Sequence, residues 1–136
     1  MNFPVIIHKD NESDYGVTIP DLPGCFSAGD SYEDALANAR EAIECHIEGL
    51  LEDGEALPQA MRIEHHKDNE FAQDAVFALV PVDLSKLSGK VKRVNITFPE
   101  RLLSQVDSFA GSHGETRSGL LVNAALEYIS THTKSA

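Results

Sequence analysis

Between Lys92 and Phe98 the residue types alternate without a break. Arg93, Asn95 and Thr97 fall on one side of an extended chain, and Val94, Ile96 and Phe98 fall on the other. Arg and Asn are the side chains that read base edges, Arg at guanine O6/N7 and Asn at adenine N6/N7, and a two-stranded ribbon is narrow enough to enter the major groove. Arg93, Asn95 and Thr97 are therefore the candidate base contacts. Lys90, Lys92, Thr116, Arg117 and Ser118 are the candidate phosphate contacts, the last three because a helix N-terminus offers free backbone N–H groups to an anion. Read alone, Arg93, Asn95 and Thr97 could equally be the wet side of an ordinary strand. The elements around them weigh toward DNA, together with the basic flank Lys86, Lys90 and Lys92.

Other chemistries fit less well. A two-metal nuclease needs carboxylates converging from a strand and a helix. Here neither Phe3 to His8 nor Val76 to Val82 carries one, while Glu41, Glu44 and Glu48 sit at the helix spacing of a solvated face. Cys45 and His46 point about 100° apart on a helix, and His65–His66 has no ligand-spaced Cys or His nearby, so no zinc site is expected. No Ser stands in a nucleophile-elbow context. No catalytic residue, metal or cofactor is expected.

The elements that position Arg93, Asn95 and Thr97 can be read from the same stretch. Pro99 opens a helix where its missing N–H costs nothing, with Glu100 favoured in the first turn and Leu102, Leu103, Val106, Phe109 and Ala110 as its apolar stripe. Gly111 to Gly114 end it. Thr116 caps a second helix carrying Leu120, Leu121, Ala124, Ala125, Tyr128 and Ile129. Gly119 is an odd choice there, costing roughly 1 kcal/mol against Ala, and close packing would explain it. One strand and two amphipathic helices cannot bury their own apolar surface. Two copies can, by forming an antiparallel ribbon over four helices, so at least a homodimer is expected and a homotetramer is open. The order strand, helix, helix is the pattern of the ribbon-helix-helix fold, and Gly114-Glu115-Thr116-Arg117-Ser118 resembles that family's turn into its second helix.

Upstream, Phe3 to His8 and the alternating Tyr15, Val17 and Ile19 predict a hairpin, and Cys25 to Ala28 a third short strand after the turn at Asp21-Leu22-Pro23-Gly24. Ser31 caps a helix with Leu36, Ala39, Ile43, Ile47 and Leu50 on one face, ending near Asp53-Gly54. Residues 59 to 74 are polar and ambiguous. Val76 to Val82 is apolar except for Pro81 and fits a buried or edge strand. The fold class is thus α+β, with a β-β-β-α-β domain over residues 1–83, a linker over 84–91 and a strand-helix-helix domain over 92–136.

The chain has 136 residues and a formal charge of −11, which by itself speaks against a polyanionic partner. The charge is unevenly spread. Residues 1–83 hold Lys9, Arg40, Arg62 and Lys67 against 18 carboxylates, a local charge of −14, whereas residues 84–136 come to +3. Two modules with different partners are expected. The apolar run near the N-terminus is too short for a signal peptide or a membrane span, Cys25 and Cys45 make no disulfide framework, and a cytoplasmic location is expected.

One family combines these features. Tyr15-Gly16-Val17 through Pro20-Asp21-Leu22-Pro23-Gly24-Cys25, then Gly29-Asp30-Ser31 and Glu33-Asp34-Ala35-Leu36-Ala37-Asn38-Ala39-Arg40-Glu41-Ala42, resembles the HicB antitoxins over nearly the whole chain. That resemblance implies a degenerate ribonuclease H-like N-terminal domain that neutralises a small basic RNA-cleaving toxin, HicA. It also implies a C-terminal domain that binds the operator of its own operon. Two other readings stay open on the residues alone: a helix-turn-helix regulator without a toxin partner, and a metal-dependent ribonuclease. Which residues touch a toxin is not legible.

Overall fold

The structure, a computed structural model, describes residues 1–9, 14–87 and 91–133. Its elements are β1 (Asn2–Lys9), β2 (Tyr15–Thr18), β3 (Phe26–Gly29), α1 (Tyr32–Glu52), β4 (Val76–Pro81), α2 (Glu100–Ser112) and α3 (Arg117–His132), with single 3₁₀ turns at Ile63–His66 and Leu84–Lys86. The strands form one antiparallel sheet in the order β3-β2-β1-β4, with Ile6 opposite Thr18 on one side and Phe77 on the other. The chain is α+β, and the β-β-β-α-β order read from the sequence is the order found. β4 lies at an edge, where Pro81 is tolerated because no second neighbour needs its missing N–H.

Successive residues of a strand point to opposite faces, so Phe3, Val5 and Ile7 all turn toward α1. They meet Ala35, Ala39, Ile43 and Ile47, which recur at three or four residues along the helix and are fully buried. Val17, Ile19, Leu22, Cys25, Leu57, Val80, Val82 and Leu84 complete this core. The Ser31 side chain caps α1 by accepting from Asp34 N–H at 3.1 Å, while the Asp34 carboxylate accepts from Asp30 N–H at 3.1 Å. The helix enters directly over β3. A Cβ built on Gly29 would lie 2.3 Å from the Ala35 nitrogen and 2.6 Å from its Cα, so only glycine lets strand and helix backbones meet here. The preceding turn closes through Cys25 N–H donating to the Leu22 carbonyl at 3.0 Å. Pro23 stands at its second position and Gly24, with φ +84°, at its third, as a type II turn requires.

The polar stretch 59–74 is ordered by one distant carboxylate. Asp21 Oδ2 accepts from Met61 N–H at 3.0 Å, and Asp21 Oδ1 lies 2.9 Å from His66 Nε2, the two side chains being 4% and 11% exposed. Phe71 stacks on His8 at 5.5 Å. Asp21→Ala strands two polar groups in a largely dry site, which costs about 1–3 kcal/mol. Urea unfolding of this variant is expected to show that loss, together with faster amide exchange over residues 61–66. Unchanged exchange there would mean that the segment is held by other contacts.

Candidate nucleic-acid interface

Pro99 stands at the N-cap position of α2, which runs Glu100–Ser112, with no side-chain capping bond, and the turn after the helix reverses the chain through Gly114, with φ +68°. Thr116 then caps α3, its Oγ1 accepting from Gly119 N–H at 3.0 Å. A Cβ at Gly119 would sit 3.0 Å from that oxygen and 3.5 Å from Ser85 Oγ. Gly119 is therefore a close-packing position between the cap and the 3₁₀ turn at Leu84–Lys86.

Ahead of α2, residues 91–99 form no strand in the single chain, because a strand takes its hydrogen bonds from a neighbour and none lies alongside among the described residues. Arg93, Asn95 and Thr97 are exposed. The other face is exposed too, Val94 at 67% and Ile96 at 64%, and only Phe98 is half-buried. Leu102 and Phe109 of α2 and Val122, Tyr128 and Ile129 of α3 add further uncovered apolar surface. Isolated apolar residues on a surface are ordinary; this many on one extended segment and helix pair make it a candidate interface.

The phosphate candidates divide into three groups. Thr116, Arg117 and Ser118 come together at the start of α3, whose first N–H groups have no acceptor within the helix. Lys92 is exposed on the extended segment, and Lys90 lies outside the described residues. Arg117 already has a partner: its Nε and Nη2 donate to Asp107 Oδ1 and Oδ2 at 2.8 and 2.7 Å, a bidentate pair tying α2 to α3. These hydrogen bonds hold the Asp107 carboxyl below its ordinary range and raise the Arg117 guanidinium. An Arg117 contact to phosphate would have to share or leave that carboxylate.

The structure also brings together residues that sequence reasoning missed. Asp83 Oδ1 accepts from Ser85 N–H at 3.0 Å, Ser85 Oγ at 2.6 Å and Asn123 Nδ2 at 3.0 Å. The Ser85 and Asn123 hydrogen bonds lower its pKa. The only sequence signal was a polar Asn123 amid Leu120, Leu121, Val122, Ala124 and Ala125. Among the described residues no three His, Cys, Asp or Glu side chains are grouped to hold a metal ion, and no helix is long and apolar enough to cross a membrane.

Comparison with known proteins supplies an independent line. Residues 3–125 match the sequence profile of the HicB-like antitoxin of bacterial toxin-antitoxin systems. The crystal structure of the Burkholderia pseudomallei antitoxin HicB is 45% identical and superposes with a TM-score of 0.81, covering 95% of this chain and 98% of that one. A 14.9 kDa protein from the rep–hol intergenic region of Haemophilus phage HP1 is 45% identical over 118 residues, covering 87% of this chain and 88% of that protein. A chain of a HicA3 and HicB3 toxin-antitoxin complex is 31% identical with a TM-score of 0.53, covering 61% of this chain and 99% of that one.

Proposed function

Because this chain belongs to the HicB-like antitoxin family, we propose that it neutralises a small, basic, HicA-like RNA-cleaving toxin by direct binding and represses its own operon by binding operator DNA. In this reading residues 1–83 engage the toxin, 84–91 link, and 92–136 form the DNA-binding dimer. It is a binding protein rather than an enzyme, and it acts in the cytoplasm.

The observation that carries the DNA half is the uncovered alternation at Arg93–Phe98, with Val94 and Ile96 exposed beside an equally uncovered helix pair. A second copy laid antiparallel along this segment satisfies its backbone and buries Val94 and Ile96 over four helices. It also turns two sets of Arg93, Asn95 and Thr97 outward into the major groove. Lys90, Lys92 and the α3 start at Thr116, Arg117 and Ser118 then flank the groove at the phosphates. For the toxin half, a protein that grips RNA presents a basic surface, and a module at −14 complements it and speeds encounter. The HicA3 and HicB3 complex supports this pairing by family likeness.

Two measurements test the reading. The first asks whether an adjacent reading frame encodes a short basic protein that co-purifies with this chain and from which this chain rescues cells; failure of both would remove the antitoxin role. The second is Ile96→Lys, which sets a charge in the centre of the proposed ribbon. By light scattering this variant is expected to be a monomer that no longer binds promoter DNA but still captures the basic protein. A variant that stays dimeric would rule out the ribbon.

A further inference from the structure

Lys92, Arg93, Arg101 and Arg117 are the Lys and Arg side chains described between residues 91 and 133. Of these, only Arg117 lies within ion-pair distance of a carboxylate among the described residues. Its Nε and Nη2 donate to the two oxygens of Asp107 at 2.8 and 2.7 Å, with the Arg117 side chain 55% and the Asp107 side chain 43% exposed. Two parallel N–H···O bonds to an anion are also the way a guanidinium takes a phosphate. Asp107 thus fills, from within the chain, the role that a DNA phosphate would fill from outside.

The turn between the helices has enough to hold it without this pair. His113 N–H donates to the Phe109 carbonyl at 3.1 Å and Glu115 N–H to the Ala110 carbonyl at 2.8 Å, while Thr116 caps α3 through Gly119 N–H. An ion pair this exposed adds little to stability. What it changes is charge. Arg117 is the first residue of α3, where free backbone N–H groups favour an anion, and its own charge there is cancelled by Asp107. A cation releases counterions from a duplex only by neutralising a phosphate, each such contact steepening the salt dependence of log K by about 0.9. Arg117 in its present pairing brings no net charge to that exchange.

We propose that Asp107 is an internal stand-in for phosphate, which occupies Arg117 and so holds down the affinity of the dimer for any duplex, leaving base discrimination to Arg93 and Asn95. This rests on the DNA-binding reading above and names a residue that sets the strength of that binding. Asp107 is a positioning residue: it acts through Arg117 and touches neither base nor phosphate.

The test titrates the full-length chain with a duplex from the promoter upstream of its own reading frame and with a random-sequence duplex of equal length, from 50 to 200 mM salt. Asp107→Asn is expected to bind both duplexes more tightly at the low end. Freeing one cation in each of two protomers steepens the salt slope by about 1.8, so this advantage shrinks about tenfold across the range. The ratio of promoter to random affinity stays within about twofold of its original value, because phosphate contacts carry no sequence information. Asp107→Glu, which keeps the carboxylate, is expected to follow the unaltered chain. In an Arg117→Ala background, Asp107→Asn is expected to shift the slope by less than about 0.5. A general gain of positive charge would act in that background too, whereas release of Arg117 cannot.

An unchanged slope, weaker binding by Asp107→Asn, or an equal gain without Arg117 would overturn the role of Asp107 while leaving operator binding in place. So would an Asp107→Asn chain that circular dichroism and light scattering show not to be a folded dimer, since the pair would then be structural. A steeper slope on both duplexes without promoter discrimination supports Asp107 and removes base reading by Arg93 and Asn95. Binding to neither duplex removes both.

Discussion

A chain in which Arg93 and Asn95 are both replaced by alanine is expected to lose operator discrimination altogether while remaining a folded dimer. Each good bidentate contact to a base edge contributes about 1–3 kcal/mol of discrimination, and a symmetric ribbon presents both side chains twice. Losing four such contacts lowers specific affinity on the order of a thousandfold or more, down to the level of non-specific binding. That residual binding is expected to persist, because in the proposed dimer Lys92 and the α3 N-termini would address phosphate rather than sequence. Stability is expected to stay within about 0.5 kcal/mol, since both side chains are exposed. Titrating a promoter duplex against a scrambled one at fixed salt reads both quantities. Operator binding that survives the double replacement would mean that the ribbon does not read the bases.

Gly29→Ala acts at the opposite end of the molecule and on the fold itself. The new methyl would occupy the space of the Ala35 nitrogen and Cα and of the Asp34 carbonyl carbon, all main-chain atoms within 2.7 Å. A side chain in the way could rotate aside; the first turn of α1 can retreat only by lifting off β3. Lifting it breaks the seal over Ala35 and Ala39 and disturbs the cap that Ser31 and Asp34 form. The expected cost is about 3 kcal/mol or more, at the upper end of what overpacking produces and a large share of a typical 5–15 kcal/mol total. Urea unfolding followed by far-ultraviolet circular dichroism measures it. A loss under about 1 kcal/mol would show that strand and helix can separate cheaply.

The sheet and α1 were legible because each declares its period: alternation in β2, and three- and four-residue spacing from Leu36 to Leu50 in α1, of which Ala39, Ile43 and Ile47 are fully buried, whereas Ala35, buried as well, lay outside that stripe. Gly29 stood in the motif by which the family resemblance was drawn, and the structure gives its physical reason. Residues 59–74 were opaque because their order comes from Asp21, a partner 40 to 45 residues away that no local pattern announces. The stripe read for α3 named Leu120, Leu121, Ala124, Ala125, Tyr128 and Ile129 and omitted Leu126, which is the residue that reaches the core. A helix with apolar residues on several sides has no single face to detect. In the candidate site, Arg93, Asn95 and Thr97 were visible as an alternation. Asp107–Arg117 and Asp83–Asn123 were not, since each joins elements across a turn or a linker.

The unpaired segment 91–99 also bears on how long the chain survives. Extended backbone without hydrogen-bonded neighbours is where proteases nick most readily, and a cut there severs Arg93, Asn95 and Thr97 from the sheet that precedes them. In the proposed dimer, pairing with a second copy would withdraw the segment from attack. Since pairing follows mass action, dilution lengthens the time each molecule spends cleavable. On that proposal turnover by proteolysis would be a function of abundance, slow in a full pool and accelerating as the pool drains.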